Sequence, residues 1–223
     1  MMNDYSAQRT TMVDTQIRPS DVTDFSIIAA MLEIPREKFV SPSQAPLAYI
    51  DEDLPLADTG SGYPRYLMEP ASLARLMQLA EIQPGAIVLD IGCATGYSTA
   101  VLARLCSSVV ALEEDEKLAA KATQTLSELE VDNAVVVTGP LVNGFAKEGP
   151  FDVIFIGGAV GQIPDTLAGQ LKQGGRLVAV EGTGNTGRAT LFVHEGNGLG
   201  KLPHFNCAVQ PLPGFEKQAE FVF

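Results

Sequence analysis

The strongest constraint on this chain is an alternation. From residue 86 to about 182, short apolar runs take turns with amphipathic ones. "AIVLDIG" is near-continuously apolar, as a strand covered on both faces must be. "TGYSTAVLARL" then reads as a helix, "SVVALE" as a second strand, and "EKLAAKATQTLSEL" as a helix turning Leu118, Ala122, Leu126 and Leu129 inward. "AVVVTG" and "FDVIFIGG" give a third and fourth strand, "PDTLAGQLKQGG" a helix closed by glycine, and "RLVAVEG" a fifth strand. Short connections between such elements imply an α/β fold with a doubly wound, mostly parallel sheet. "ATLFVHEG" and "HFNCAVQPLP" follow as strands joined by Gly-rich turns, an antiparallel C-terminal edge.

The first fifty residues carry a helical pattern instead. "SDVTDFSIIAAML" offers Ser20 or Asp21 as an N-cap and sets Phe25, Ile28 and Leu32 on one face. Pro35 ends that run, and "IPREKFV" leads into a loop. "DEDLPLADTGSGYPRYLMEP" is too polar and too broken for core and reads as a long surface loop, a common place for function. "PASLARLMQLAEI" is an amphipathic helix burying Leu73, Leu76, Met77 and Ala80. The chain thus divides into N-terminal helices with a substrate-facing loop over 1–70 and an α/β core over 71–223, forming one compact unit.

Bulk properties narrow the function. A net charge of −12 argues against a nucleic-acid partner, because phosphate binding needs a basic face. No apolar run approaches the ~18 residues of a membrane span, and the polar start lacks the apolar centre of a secretory signal, so a cytoplasmic protein is expected. Cys93, Cys106 and Cys207 lack metal-ligand spacing and read as small buried hydrophobes. His194 and His204 lie far in sequence from every motif, so no metal site and no catalytic histidine is expected.

Open α/β sheets bind ligands at the carboxyl ends of their strands. There the first strand runs into Gly92-Cys93-Ala94-Thr95-Gly96 and turns directly into a helix. Glycine at such a bend permits positive φ and close backbone approach. The second strand ends in Glu113, an acid placed to accept hydrogen bonds from a ribose diol. Two ligand classes suit this arrangement. A dinucleotide needs G-x-G-x-x-G/A, and Tyr97 at its third position would crowd a pyrophosphate. S-adenosylmethionine needs G-x-G-x-G; Gly92 and Gly96 match, with Ala94 between them. A purely structural glycine turn is the third reading. Glu114, Asp115 and Glu116 read as acids stabilising the start of the next helix.

Several segments together resemble the protein-L-isoaspartate (D-aspartate) O-methyltransferase family of class I enzymes. They are "MLEIPREKFV", "AYIDEDLPL", "EPASLARLM", "VLDIGCATGYSTAVLARL", "VVALEEDEKLAAKA" and "FDVIFIGGAVGQIPDTLAGQLKQGGRLV", in family order. The resemblance implies a class I methyltransferase fold and S-adenosylmethionine as cofactor. It also implies methyl transfer to isoaspartyl carboxylates of damaged proteins or peptides. Mapped onto this chain, the cofactor-binding positions are Asp90, Gly92, Cys93, Ala94, Gly96, Glu113 and Glu114, with Gly139, Pro140 and Leu141 at the end of the third strand. The family reads Gly-Asp-Gly at that last place, and proline offers neither the adenine-binding acid nor an N–H.

In the substrate loop the family pattern is close to Thr-Ile-Ser-Gln-Pro, where this chain has Tyr66-Leu67-Met68-Glu69-Pro70. A thioether is a very weak hydrogen-bond partner, and Glu69 repels an anionic acceptor. Ser61, Arg65, Tyr66 and Met68 are the loop candidates for meeting the substrate. Arg65 pairs with a carboxylate in one reading and is solvated or bridged to Asp58 or Glu69 in the other. Methyl transfer to a carboxylate needs no general base at neutral pH, so the lack of an acid–base pair excludes nothing. The departures favour two further readings: the same fold with a small-molecule or other acceptor, and a non-catalytic cofactor-binding module.

Overall fold

In a computed structural model, which describes residues 4–56, 59–182, 184–196 and 198–216, the chain opens with helix α1 (Tyr5–Met12), capped by Asp4. Helix α2 (Phe25–Glu33) follows a π-helical turn at Val13–Ile17. Its N-cap is Asp24, whose carboxylate accepts the Ser26 N–H at 2.8 Å, rather than Ser20 or Asp21. The buried stripe also differs from the expected one. Ile27, Met31 and Ile34 face the core together with the expected Ile28, while Phe25 is 82% exposed and Leu32 36% exposed. A cap at Asp24 puts Phe25 in the open first turn and turns the i, i+4, i+7 stripe inward.

The stretch read as a surface loop is partly core. Strands β1 (Leu54–Pro55) and β2 (Tyr66–Leu67) pair antiparallel with Leu54 opposite Leu67, and Leu54, Arg65, Leu67 and Met68 are all buried. Among the described residues of the stretch, Asp51, Glu52, Pro55 and the tip, residues 60–64, stay exposed. The polar composition of the stretch hides these inward positions; the two-residue period accounts for Arg65 and Leu67, while Met68 is buried just past the strand. Helix α3 (Pro70–Ala80) buries Leu73, Leu76, Met77 and Ala80, as its pattern predicts.

Next come β3 (Ile87–Ile91), α4 (Tyr97–Ala103), β4 (Ser108–Glu113), α5 (Glu116–Glu128), β5 (Ala134–Thr138) and β6 (Phe151–Val160). After them run α6 (Asp165–Ala168), β7 (Leu171–Glu181), β8 (Arg188–Glu195) and β9 (Gly198–Asn206). The seven-stranded sheet has the order β5-β4-β3-β6-β7-β8-β9. It is parallel from β5 to β7, and β8 and β9 add the antiparallel edge. The winding reverses between β3 and β6, so their carboxyl ends flank the crevice where such sheets take ligands.

Two segments depart from the sequence pattern. "PDTLAGQLKQGG" makes a single helical turn, α6, before Leu171 already enters β7. Leu171 pairs with Phe151 and Arg176 with Val153, so residues 172–175 bulge out. Gly175 sits where a Cβ would meet the Lys172 carbonyl oxygen at 2.7 Å, which explains the glycine without a helix end. In "HFNCAVQPLP", strand β9 stops at Asn206, and the chain turns back across the sheet. Leu212 donates its N–H to the Ala159 carbonyl and Ala159 to that of Gln210, both at 2.9 Å. That return lays Leu212 over the crevice. The three cysteines are free and buried.

Candidate functional site

The bend after β3 is built as a close-approach turn. Gly92, Ala94 and Gly96 all have positive φ, at 80°, 52° and 94°. Gly96 is there for packing as well, because a Cβ would stand 3.2 Å from that of Ala122 on α5. Thr95 Oγ1 donates to the Phe39 carbonyl at 2.6 Å and ties the bend to the N-terminal region. Cys93 is buried, and burial first, then the Asp90 and Glu113 carboxylates, pushes its thiol well above its usual value. It is packing, not a nucleophile.

Asp90 is fully buried at the end of β3. Ser98 and Thr99 donate their hydroxyls to its Oδ2, both at 2.7 Å, while Oδ1 has no hydrogen-bond partner. Burial pushes its carboxyl up to about 6, against the pull of those hydroxyls.

Glu113 ends β4 with no exposed surface. Its Oε2 accepts the Ala94 N–H at 2.7 Å, and its Oε1 accepts the N–H groups of Glu114 and Asp115, both at 3.0 Å. The guanidinium of Arg65 closes the set as a two-pronged fork. Nη2 donates to Oε2 at 2.8 Å, and Nη1 donates to Oε1. Nη2 also donates to the Gly92 carbonyl at 3.2 Å, and Arg65 itself is only 3% exposed. Glu69, the alternative partner, instead accepts from the Ser72 hydroxyl; Asp58 lies outside the described residues. The pair joins residues 48 apart in sequence, so no local pattern announces it.

The remaining predicted positions surround this pair. Glu114 is exposed, and Asp115 caps α5, accepting the Lys117 and Leu118 N–H groups at 3.0 and 3.2 Å. Asp115 also accepts the Ser61 N–H at 2.7 Å, pinning the exposed hairpin tip beside the crevice. Ser61 approaches Asp115 through its backbone N–H and its hydroxyl, although the residue as a whole is exposed. Gly139 donates to the Glu113 carbonyl at 3.1 Å; Pro140 is exposed and Leu141 buried. Tyr66 and Met68 line two small cavities.

Sequence reasoning missed Leu212, Gln210 and Asp53. A Cβ on Gly92 would stand 2.9 Å from Leu212 Cδ2, and one on Gly158 would stand 2.7 Å from Leu212 Cγ. The Gly157-Gly158 pair inside an otherwise apolar strand was the available signal of a close approach. Asp53 accepts the Glu69 N–H at 2.8 Å; burial raises its carboxyl. The described residues include no group of three or more acidic, His or Cys side chains able to hold a metal. Nor do they include a helix long and apolar enough to cross a membrane.

A mostly parallel sheet with this winding reversal, this β3–α4 bend and an acid ending β4 defines a class I methyltransferase fold. A solved protein-L-isoaspartate O-methyltransferase shares it with a TM-score of 0.82 and 28% identity, over 93% of this chain and 67% of that one. The family profile for protein-L-isoaspartate(D-aspartate) O-methyltransferase (PCMT) matches residues 7–205, and the chain belongs to that family. A Koribacter versatilis (strain Ellin345) protein-L-isoaspartate O-methyltransferase is 34% identical over 210 residues, 94% of this chain and 92% of the relative. A Gloeobacter violaceus protein of the same name is 36% identical over 202 residues, 90% of this chain and 96% of the relative.

The position read from the bend as that of S-adenosylmethionine is closed in this arrangement. Glu113 has its acceptor positions filled, Leu212 lies on Gly92, and the cavities beside them measure only ≈ 10 and ≈ 20 Å³. Each is room for about one water molecule, not a nucleoside.

Proposed function

We propose that the chain is an S-adenosylmethionine-dependent O-methyltransferase that methylates isoaspartyl carboxylates in damaged proteins or peptides, acting in the cytoplasm. The observation that carries this reading is the family match across residues 7–205, together with relatives of that name along nearly their whole length. The positions assigned to the cofactor are those of the β3–α4 bend, Glu113 and the Gly139–Leu141 stretch. Residues 1–70 are assigned to the substrate-facing side and 71–223 to the cofactor core. The acidic charge of −12 supports a protein or peptide partner over nucleic acid.

The test is transfer of a labelled methyl group to an isoaspartyl peptide. Base-labile incorporation, absent with the matching aspartyl peptide, is expected. No incorporation where a control enzyme works removes the repair assignment.

A second reading keeps the fold and changes the acceptor. It is favoured by Met68, buried among Tyr66, Gly92 and Tyr97, where a thioether offers the substrate almost no hydrogen bond. Label transfer to a component of cell extract, without transfer to the isoaspartyl peptide, supports it.

A further inference from the structure

We propose that Arg65 is a built-in occupant of the cofactor's sugar position, so that a nucleoside cofactor binds only by displacing it. This rests on reading the β3–β4 edge as the cofactor site. A ribose diol would donate two hydrogen bonds to one carboxylate. The Arg65 fork donates in the same way to the same two oxygens, Nη2 at 2.8 Å and Nη1 alongside. Three backbone N–H groups take the other acceptor positions on Glu113, so the carboxylate has no capacity for both partners.

Arg65 is not a stray side chain that solvent can draw away. Its carbonyl accepts the Leu56 N–H at 2.8 Å, within the hairpin that pairs Leu54 with Leu67. The hairpin tip is pinned through the Ser61 N–H to Asp115. Nη2 bonds the Gly92 carbonyl, and Leu212 packs against the same glycine. Both charges are buried and mutually satisfied, so withdrawal of Arg65 alone would strand Glu113 without its counter-ion. The closed arrangement therefore dominates, and apparent affinity falls by the fraction of molecules that are open.

Calorimetric titration with S-adenosylhomocysteine of the full chain, of Arg65→Ala and of Arg65→Lys tests the idea. Arg65→Ala is expected to bind at least about tenfold more tightly than the unaltered chain, as the removal of a dominant closed state requires. Arg65→Lys, with one prong in place of two, falls between them. The idea is overturned if Arg65→Ala binds no more tightly than the unaltered chain, including the case in which neither binds. Thermal unfolding checks that each variant is folded. If Arg65→Ala is not, Arg65→Lys decides, with tighter binding supporting displacement and equal or weaker binding overturning it.

The outcome is separable from the repair assignment. Tighter binding by Arg65→Ala without methyl transfer to isoaspartyl peptide keeps the displacement and removes that substrate. Methyl transfer by the unaltered chain with equal affinities does the reverse.

Discussion

The guanidinium carbon of Arg36 stands 4.7 Å from the centre of the Tyr97 ring, and both side chains are fully buried. Arg36 donates through Nε to the Ala48 carbonyl at 2.7 Å and through Nη2 to that of Met68 at 2.6 Å. One cation thereby joins four segments: the turn after α2, the turn that ends at Ala48, the strand end that carries Met68, and the first turn of α4. Because Met68 lies just past Arg65, Arg36 helps to set the hairpin beside the crevice.

Arg36→Met should therefore destabilise the fold although it removes a buried charge. Two buried carbonyls would lose their donor, and the ring of Tyr97 its cation. A loss of about 2–4 kcal/mol is expected. Urea denaturation with an unchanged m-value measures it, and a loss below about 1 kcal/mol would contradict the role given to Arg36.

Asp90 should give stability a pH dependence of unusual sign. Its folded pKa of about 6 lies above its ordinary value of 3.8, so the folded chain holds this proton more tightly than the unfolded one. Stability from this group is full below about pH 4, falls as pH rises to about 6, and is flat above. At ~1.36 kcal/mol per unit, the change is on the order of 3 kcal/mol. Asp24, Asp115 and Asp152 are shifted the other way, downward, so their losses come at lower pH. Comparing denaturant unfolding of the unaltered chain and Asp90→Asn at pH 4.5 and pH 7 isolates the effect. The advantage of the variant should grow toward pH 7, and a constant difference would refute it.

Ala94 adopts φ of 52°, the left-handed region that disfavours a side chain. Ala94→Gly removes that strain, about 1 kcal/mol, against a comparable entropic gain of the unfolded chain. Thermal unfolding should show a stability within about 0.5 kcal/mol of the original or above it. An Ala-to-Gly change inside a helix loses about 1 kcal/mol, and a loss of that size here would show that no strain is stored at the bend.

The parallel strands could be read from the sequence because both their faces are covered, which leaves near-continuous apolar runs such as "IVLDI" and "VVAL". The β3–α4 bend and Glu113 were legible for a related reason, since a glycine pair and an acid at strand ends are local features. The core face of α2 was not. Phe25 is the most apolar-looking residue there, yet the cap at Asp24 decides which stripe turns inward. The plug was invisible too. Arg65 sits in a polar stretch whose composition suggests solvent, and its partner is 48 positions away. Leu212 arrives from farther still, through a return path fixed by Ala159 rather than by any periodicity.

At the end of the sheet farthest from β9, strand β5 pairs only with β4 among the described strands, and Val135 on it is 51% exposed. "AVVVT" carries neither a charge nor a proline to discourage a second copy from adding alongside. Copies bearing −12 each repel one another at neutral pH, which opposes such pairing. Near the isoelectric point of about 4.5 the repulsion vanishes, and concentrated solutions of this chain should turn cloudy there, border to border.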